Sequence, residues 1–273
     1  MPTIAETAQW VRPGEMHQTF NFEYLYTPWD ASTLRAVIDE SLGEYGAVGA
    51  PTTWVLSNHD VVRHATRLAI GRSVQPDHGI GPRTTGLPDS AMALRRGRAA
   101  SALMLALPGS AYLYQGEELG LPEVVDLPDA ARQDPVWFRT GGKLYGRDGC
   151  RVPIPWEAGA PAYGFSPTGA SWLPQPSEWA VLARDVQADD PGSTLEMYRA
   201  LLALRRRHRL GQGQLTWLEG FGDDAVAFRN GAVTVVANAG TAPIALPADL
   251  TVLVASAPAN GELPPDTTVW LTG

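Results

Sequence analysis

The chain has 273 residues, of which 44% are hydrophobic and 18% are charged, a balance typical of a globular protein with room for roughly two domains. Its formal net charge of −8 argues against nucleic acid and against an anionic membrane as the main partner. Cys150 is the only cysteine, which excludes an intrachain disulfide and fits a reducing, cytoplasmic location, and no apolar run reaches the ~18 residues of a transmembrane helix.

The first 210 residues alternate between strand and helix patterns. Asp30 can cap the first long helix and Gly46 can end it, and a polar, glycine-rich loop covers residues 70–88. This alternation predicts an α/β fold with parallel strands joined by right-handed crossovers. In chain order the predicted elements are a strand at residues 17–22, a helix at 30–45, a strand at 52–57, a helix at 90–107 and a strand at 110–115.

A long segment rich in proline, glycine and tryptophan follows at residues 116–191, and its length predicts a functional loop or a small subdomain. It contains a short helix near residues 177–186. A stronger helix is predicted at residues 194–208, where Ser193 and Glu196 have capping-box spacing. After residue 211 short alternating runs separated by turn residues predict a small antiparallel domain over residues 211–273.

The candidate site lies where the second predicted strand ends. Its apolar run stops abruptly in Asn58, His59 and Asp60, and the third strand ends in Glu117 and Glu118. In sheets of alternating strands and helices, ligands bind at the carboxyl ends of the strands. These side chains therefore predict a site for a polyhydroxylated or cationic ligand. No metal or cofactor is expected, because Cys and His lack metal-ligand spacing and no phosphate-binding glycine loop is present.

Structural interpretations compete with the functional ones. Asp60 alone could be a helix cap or an ion-pair partner, and His59 alone could be a core histidine. Adjacent residues rarely share a site, so Glu117 and Glu118 are interpreted as structural. Cys150 is expected to be a buried thiol. Five tryptophans are expected to pack in the interior: Trp29, Trp54, Trp137, Trp156 and Trp172.

Several motifs together resemble one family. Residues 57–60 (SNHD), followed by Arg63, resemble a late signature of the alpha-amylase family of glycoside hydrolases. Residues 107–120 (LPGSAYLYQGEELG) resemble that family's eighth barrel strand and its exit, and residues 20–22 resemble the sixth strand. Residues 146–156 (GRDGCRVPIPW) are similar to an arginine-rich loop of the alpha-glucosidase and oligo-1,6-glucosidase branch.

The resemblance implies a partial (β/α)8 TIM barrel, consisting of strands 6–8 with their helices, over residues 1–210, and an antiparallel β-sandwich domain over residues 211–273. It implies retaining hydrolysis of α-linked glucosides, with Asp60 stabilising the transition state. His59 and Asn58 match residues that bind the sugar. Arg63 and Arg151 match arginines near the same pocket; Arg151 could instead form an ion pair with Asp148 that holds the loop.

The chain departs from the family's pattern in one respect. It carries no fourth-strand Gly-Phe-Arg-x-Asp motif and no fifth-strand Gly-Glu motif, where the family has its nucleophile and its acid/base. Glu6 is the only early candidate, and it lies closer to Arg12 than the family's acid should. We therefore expect the C-terminal half of an alpha-glucosidase-type enzyme, arising from a split gene, a misplaced start codon or a truncation, that is inactive alone. A further hypothesis is that a separately encoded N-terminal half completes it. The alternative is a non-catalytic relative of the same fold that binds sugars or another protein.

Overall fold

A computed structural model describes residues 2–70 and 78–273 of the chain. It divides into two compact units. The first unit comprises Met1–Leu56, Arg98–Tyr112 and Arg199–Gly273, and the second comprises Ser57–Gly97 and Leu113–Tyr198. The domain boundary expected at residue 210 stays a prediction. In the part of the chain that is described, no helix is both long enough and apolar enough to cross a membrane.

The helices and strands are numbered here in chain order. The helices are α1 (Ile4–Ala8), α2 (Phe22–Tyr26), α3 (Ala31–Ala47), α4 (His64–Arg67), α5 (Ser90–Ala106), α6 (Pro135–Arg139), α7 (Arg184–Gln187) and α8 (Thr194–Arg207). The strands are β1 (Thr53–Val55), β2 (Ser110–Tyr112), β3 (Leu215–Trp217), β4 (Ala225–Asn230), β5 (Val233–Asn238), β6 (Ile244–Ala245), β7 (Thr251–Ala255), β8 (Glu262–Leu263) and β9 (Thr267–Thr272).

The parallel strands of the first unit lie side by side. β1 pairs with β2 in parallel, with Thr53 opposite Ser110, and Phe20 adds a single parallel bridge to Thr53. The prediction of a full strand at residues 17–22 is wrong. The side chain of Asn21 accepts a hydrogen bond from the N–H of Tyr24 (3.0 Å) and so begins α2 one residue later. A local cap thus replaces the rest of the strand.

Side-chain caps also begin helices α3 and α1 of this unit. Asp30 caps α3 as predicted, since its Oδ1 accepts from the N–H of Thr33 (2.9 Å). Gly46 does not end α3, which continues through Ala47. The helix ends two residues before Gly49, which has the left-handed conformation (φ +74°) that is common just after a helix. Glu6 completes a capping box with Thr3 at the start of α1, where its carboxylate accepts from the N–H of Thr3 (2.8 Å).

The antiparallel strands form a five-stranded sheet in the order β3-β4-β5-β9-β7, and β6 pairs with β8. The short alternating runs after residue 211 form strands as predicted, whereas β8 has no counterpart among them, because two residues show no alternation. Trp270 of β9 donates its indole N–H to the carbonyl of Ala102 in α5 (3.0 Å), and Asn230 donates to the carbonyl of Ala106 (2.8 Å). These bonds fasten the sheet to α5.

The second unit is mostly loop around its own core. The predicted helix near residues 177–186 forms as a 3₁₀ turn, Ser177–Leu182, and then α7, with Ala183 extended between them (ψ 149°). Ser193 accepts from the N–H of Glu196 (3.1 Å), as the capping prediction requires. Of the loop predicted at residues 70–88, residues 71–77 lie outside the described residues. The core side chains are Leu119, Leu121, Val124, Leu127, Val152, Ile154, Leu173, Trp179 and Leu195.

Candidate functional site

The turn that follows β1 is held by Asn58. Its buried side-chain oxygen accepts a hydrogen bond from the N–H of Asp60 (2.8 Å), which closes a turn of the kind that asparagine favours. His59 and Asp60 stand beyond this turn and reach solvent, the side chain of Asp60 being 48% exposed. Asn58 therefore fixes the backbone from which the two predicted site residues project.

Asp60 is surrounded by cationic and polar groups. Its Oδ1 lies 2.8 Å from Nη1 of Arg147 and 3.1 Å from Nη2 of Arg151, and its Oδ2 lies 3.3 Å from Nε2 of His59. Arg151 also donates from Nε to the carbonyl of His59 (2.7 Å). The structure thus brings His59, Asp60 and Arg151 together and adds Arg147 to them.

Arg147 is aimed at Asp60 by a buried aspartate. Asp134 accepts from the Nε of Arg147 (2.6 Å) and from its main-chain N–H (2.9 Å), and the side chain of Asp134 is fully buried. Burial alone would raise the pKa of Asp134, but the hydrogen bonds from Arg147 and from the N–H of Val136 outweigh it and hold the pKa at about 2. The hydrogen bonds to Asp134 and to Asp60, with the charges of these two carboxylates, raise the pKa of the Arg147 guanidinium above its usual range. The pair is therefore ionised under all physiological conditions.

The alternative prediction, in which Arg151 forms an ion pair with Asp148 that holds the loop, is wrong. Asp148 does not hold the side chain of Arg151; its Oδ2 accepts from the main-chain N–H groups of Gln133 and Asp134, both at 3.0 Å. Asp148 consequently positions Asp134, which in turn positions Arg147. A sequence signal for Arg147 exists, since it stands in the same Gly-Arg-Asp motif that drew attention to Arg151.

Arg63 has a different place from the one predicted. The residue is only 2% exposed. Its guanidinium donates to the carbonyls of Gln115 (2.7 Å) and Cys150 (2.9 Å), while its main-chain N–H donates to Glu123 (2.9 Å). Because these acceptors come from three segments, Arg63 holds the loops together beneath the site. Its guanidinium is not presented to a ligand.

Two acidic side chains are buried near Arg63. Burial raises the pKa of Glu117 to about 8 and that of Glu123 to about 7. Oε1 of Glu117 has no hydrogen-bond partner in the described structure; Nδ1 of His64 lies 4.0 Å away. Burial, followed by the charge of Arg67, lowers the pKa of His64 to about 3, so its imidazole is neutral. These groups are interior, and none of them faces a ligand.

Two of the five tryptophans do not pack as expected. Trp156 is 47% exposed and Trp172 is 63% exposed. The indole N–H of Trp172 donates to the carbonyl of Arg151 (3.2 Å), and its own carbonyl accepts from the side chain of Gln133 (2.8 Å). The expectation of interior packing is wrong for these two residues. Trp172 therefore adds an aromatic face to the loop that carries Arg151.

The arrangement suits a ligand rich in hydroxyl groups. A half-exposed carboxylate accepts hydrogen bonds, and guanidinium groups beside it donate them. Among the described residues, no three His, Cys, Asp or Glu side chains are grouped so that they could hold a metal ion.

Comparison with known proteins gives a consistent result. Residues 14–213 match the family model of the alpha-amylase catalytic domain. The chain is 36% identical over 168 residues to a probable alpha-glucosidase of Rhizobium meliloti, covering 61% of this chain and 26% of that protein. It is 29% identical over 227 residues to Maltase A1 of Drosophila melanogaster, covering 80% of this chain and 34% of that protein.

Solved structures extend the match to the whole chain. An alpha-glucosyl transfer enzyme superposes with a TM-score of 0.77 at 30% identity, and the alignment covers 100% of this chain and 49% of that one. The chain thus spans about half the length of this solved structure, and about a quarter to a third of the two curated relatives.

Proposed function

This chain belongs to the alpha-amylase family of glycoside hydrolases, and on that premise we propose that it supplies the sugar-orienting part of an alpha-glucosidase-type site. The substrate is an α-linked glucoside oligosaccharide. Phe20, β1 and β2 are the sixth, seventh and eighth strands of a (β/α)8 barrel, and the antiparallel strands after residue 211 belong to the C-terminal domain.

The observation that carries the proposal is the setting of Asp60. Its carboxylate is exposed to a ligand, yet Arg147 and Arg151 hold one oxygen in place and His59 lies beside the other. A carboxylate fixed before substrate arrives can accept hydrogen bonds from ring hydroxyls and stabilise positive charge that develops in the transition state. This is the part that the family resemblance assigns to Asp60.

The chain by itself is proposed to bind substrate without hydrolysing it. Retaining hydrolysis needs two carboxyl groups about 5–5.5 Å apart, one of them a nucleophile. The carboxylate linked to Asp60 through Arg147 is Asp134, whose side chain is fully buried and committed to that arginine. We propose that a separately encoded N-terminal half supplies the nucleophile and the acid/base.

Calorimetric titration with maltose, run beside an assay with a nitrophenyl α-glucoside, tests both parts. The parent chain should bind maltose and release no nitrophenol above buffer. Asp60→Asn should weaken maltose binding about tenfold or more, since it removes a charged hydrogen-bond acceptor. Asp126→Asn makes the same change at an exposed aspartate of the second unit and should leave binding unaltered. Turnover by the chain alone contradicts the proposed inactivity, and a folded chain that ignores maltose contradicts the sugar site.

One observation favours the alternative of a non-catalytic sugar-binding relative. The ion-pair partners of Asp60 are two guanidinium groups and an imidazole, which make a recognition site without a second reactive carboxyl. Co-expression with the N-terminal half of an alpha-glucosidase barrel separates the two functions. Restored hydrolysis supports the enzyme, and unchanged binding without hydrolysis supports the binding protein.

A further inference from the structure

We propose that Asn260, just before β8, is a site of spontaneous covalent modification, at which the side-chain amide is lost and aspartate or isoaspartate is formed. Water is the only co-reactant. The sequence contains two Asn-Gly pairs, at residues 230–231 and 260–261. The structure distinguishes them, because it leaves Asn260 free to react and holds Asn230 in place. The inference does not depend on the sugar site at Asp60.

The reaction joins the side chain of an asparagine to the next residue. The main-chain nitrogen of Gly261 attacks the side-chain carbonyl carbon of Asn260, so that a C–N bond closes a cyclic imide and the bond to the amide nitrogen breaks. That nitrogen leaves as ammonia and takes the proton given up by the glycine nitrogen. Water then adds to the side-chain carbonyl carbon, which gives aspartate, or to the main-chain carbonyl carbon, which gives isoaspartate. Glycine has no β-carbon to hinder the attack.

The pair at residues 260–261 meets the requirements of this reaction. Asn260 and Gly261 are both exposed. Among the described residues, neither the side chain of Asn260 nor the main-chain N–H of Gly261 has a hydrogen-bond partner. Gly261 has a φ of +75°, and nothing lies within 4 Å of the place where a β-carbon would stand. The side chain can therefore turn onto the nitrogen without breaking a contact.

Asn230 is followed by the same residue but is held away from it. The residue is 0% exposed, and its Nδ2 donates to the carbonyls of Ala106 (2.8 Å) and Leu210 (3.0 Å). Gly231 is as open as Gly261, with a φ of +59° and nothing within 4 Å of a β-carbon, so the glycine does not distinguish the two pairs. To close the ring, Asn230 must give up both hydrogen bonds in a buried place where water does not replace them. Folding therefore protects it.

Isoaspartate at position 260 should loosen β8. The carbonyl of Gly261 accepts from the N–H of Leu246 (2.9 Å) and so continues the pairing of β6 with β8. Leu263 of β8 is 0% exposed, and its carbonyl accepts from the side chain of Asn238 (3.0 Å). Because isoaspartate adds one carbon to the main chain, Gly261 and the buried leucine no longer meet both partners in register. Aspartate leaves the main chain unchanged and adds only a charge.

Ageing the full chain for weeks at mildly alkaline pH, followed by peptide mapping with mass spectrometry, tests the proposal. In the folded chain, Asn260 should convert at least about tenfold faster than Asn230, which must first break its two hydrogen bonds. In urea the two residues should convert at similar rates, because that protection is gone. Asn260→Gln, whose longer side chain closes a larger and less favoured ring, should abolish the modification in the folded chain. An unmodified Asn260, or equal rates at the two residues of the folded chain, would overturn the proposal.

Hydrogen exchange of the Leu246 amide tests the effect on β8. The isoaspartyl chain, isolated by chromatography, should exchange this amide roughly tenfold faster than the parent chain, since its bond to Gly261 is strained. Asn260→Asp carries the same added charge on an ordinary main chain and should exchange it at the parent rate. If the isoaspartyl chain and Asn260→Asp behave alike, the loosening of β8 is refuted.

Discussion

Glu117 and Glu123 give the second unit a stability that depends on pH. Burial raises their pKa values to about 8 and about 7 in the folded chain, whereas both lose their protons near 4.5 when unfolded. Between those limits the folded chain keeps protons that the unfolded chain has released. The free energy of unfolding is therefore highest at or below the unfolded pKa and falls as the pH rises through the folded values. Each carboxyl contributes a slope of at most about 1.4 kcal/mol per pH unit.

The substitution Glu117→Gln should remove one of these two slopes. Glutamine keeps the shape of the protonated acid and has no proton to release, so the variant should be more stable than the parent at pH 8 and lose less stability between pH 5 and pH 8. Urea unfolding followed by tryptophan fluorescence at four pH values measures this. Glu157→Gln makes the same change at an exposed carboxylate of the same unit and should track the parent. Parallel profiles for parent and Glu117→Gln would refute the prediction.

At the scale of single residues, the sequence predicts what a local motif carries. Asn58, His59 and Asp60 are adjacent in the chain, and their position at the end of a predicted strand is what indicates a ligand site. The pairing of Arg147 with Asp134 and that of Trp172 with the carbonyl of Arg151 could not be predicted in this way, because these partners meet only through the folded loops. The burial of Arg63 has the same cause: its acceptors Gln115 and Cys150 lie 52 and 87 positions away in the chain.

At the scale of elements, two loop segments of the second unit meet at Gly79 and Gly146. The N–H of Gly146 donates to the carbonyl of His78 (3.0 Å), and Gly79 has a φ of +69°. A β-carbon at position 79 would overlap the carbonyl group of Gly146. Since Gly146 directly precedes Arg147, this close approach helps to place the guanidinium that reaches Asp60.

The substitution Gly79→Ala should separate the two segments. Gly86 is the matched control, because its φ of +72° is nearly the same and nothing lies within 4 Å of a β-carbon there. Alanine at either position costs about 1–2 kcal/mol for its left-handed backbone. At position 79 the overlap should add roughly 1–3 kcal/mol and weaken maltose binding by displacing Arg147. Urea unfolding and calorimetry of both variants measure the difference, and equal losses would mean that the contact is unimportant.

Element boundaries show where local sequence stops deciding the structure. The helices α3, α5 and α8 and the antiparallel strands repeat their apolar positions at a clear period, and they were found within a few residues. The strand expected at residues 17–22 does not form because Asn21 caps a helix instead. The side-chain amide of the same asparagine donates to the hydroxyl of Ser41 (2.7 Å). That contact spans 20 positions and has no signature in the sequence.

At the scale of the whole molecule, an aromatic edge on the first unit bears on how the chain behaves in solution. The aromatic edge consists of Trp10, Phe20, Phe22 and Tyr112, and Phe20 lies 4.5 Å from Tyr112 and 6.2 Å from Phe22 between ring centroids. Trp10, Phe22 and Tyr112 are each more than 40% exposed. Phe20 is bridged to one side of β1 and Tyr112 belongs to β2 on the other side, so these rings lie across the parallel strands. Exposed apolar patches favour association.

The chain alone should therefore self-associate through this edge, and more so as the pH falls from 7, where the formal net charge is −8, towards the point of zero net charge. Phe22→Lys should raise the monomer fraction in sedimentation velocity over a concentration series. Phe138→Lys changes a still more exposed phenylalanine of the second unit by the same charge, so it separates the local effect from that of net charge. A parent chain that stays monomeric throughout the concentration series would show that the aromatic edge does not drive self-association. A shift of both variants alike would attribute association to charge instead of to Phe22.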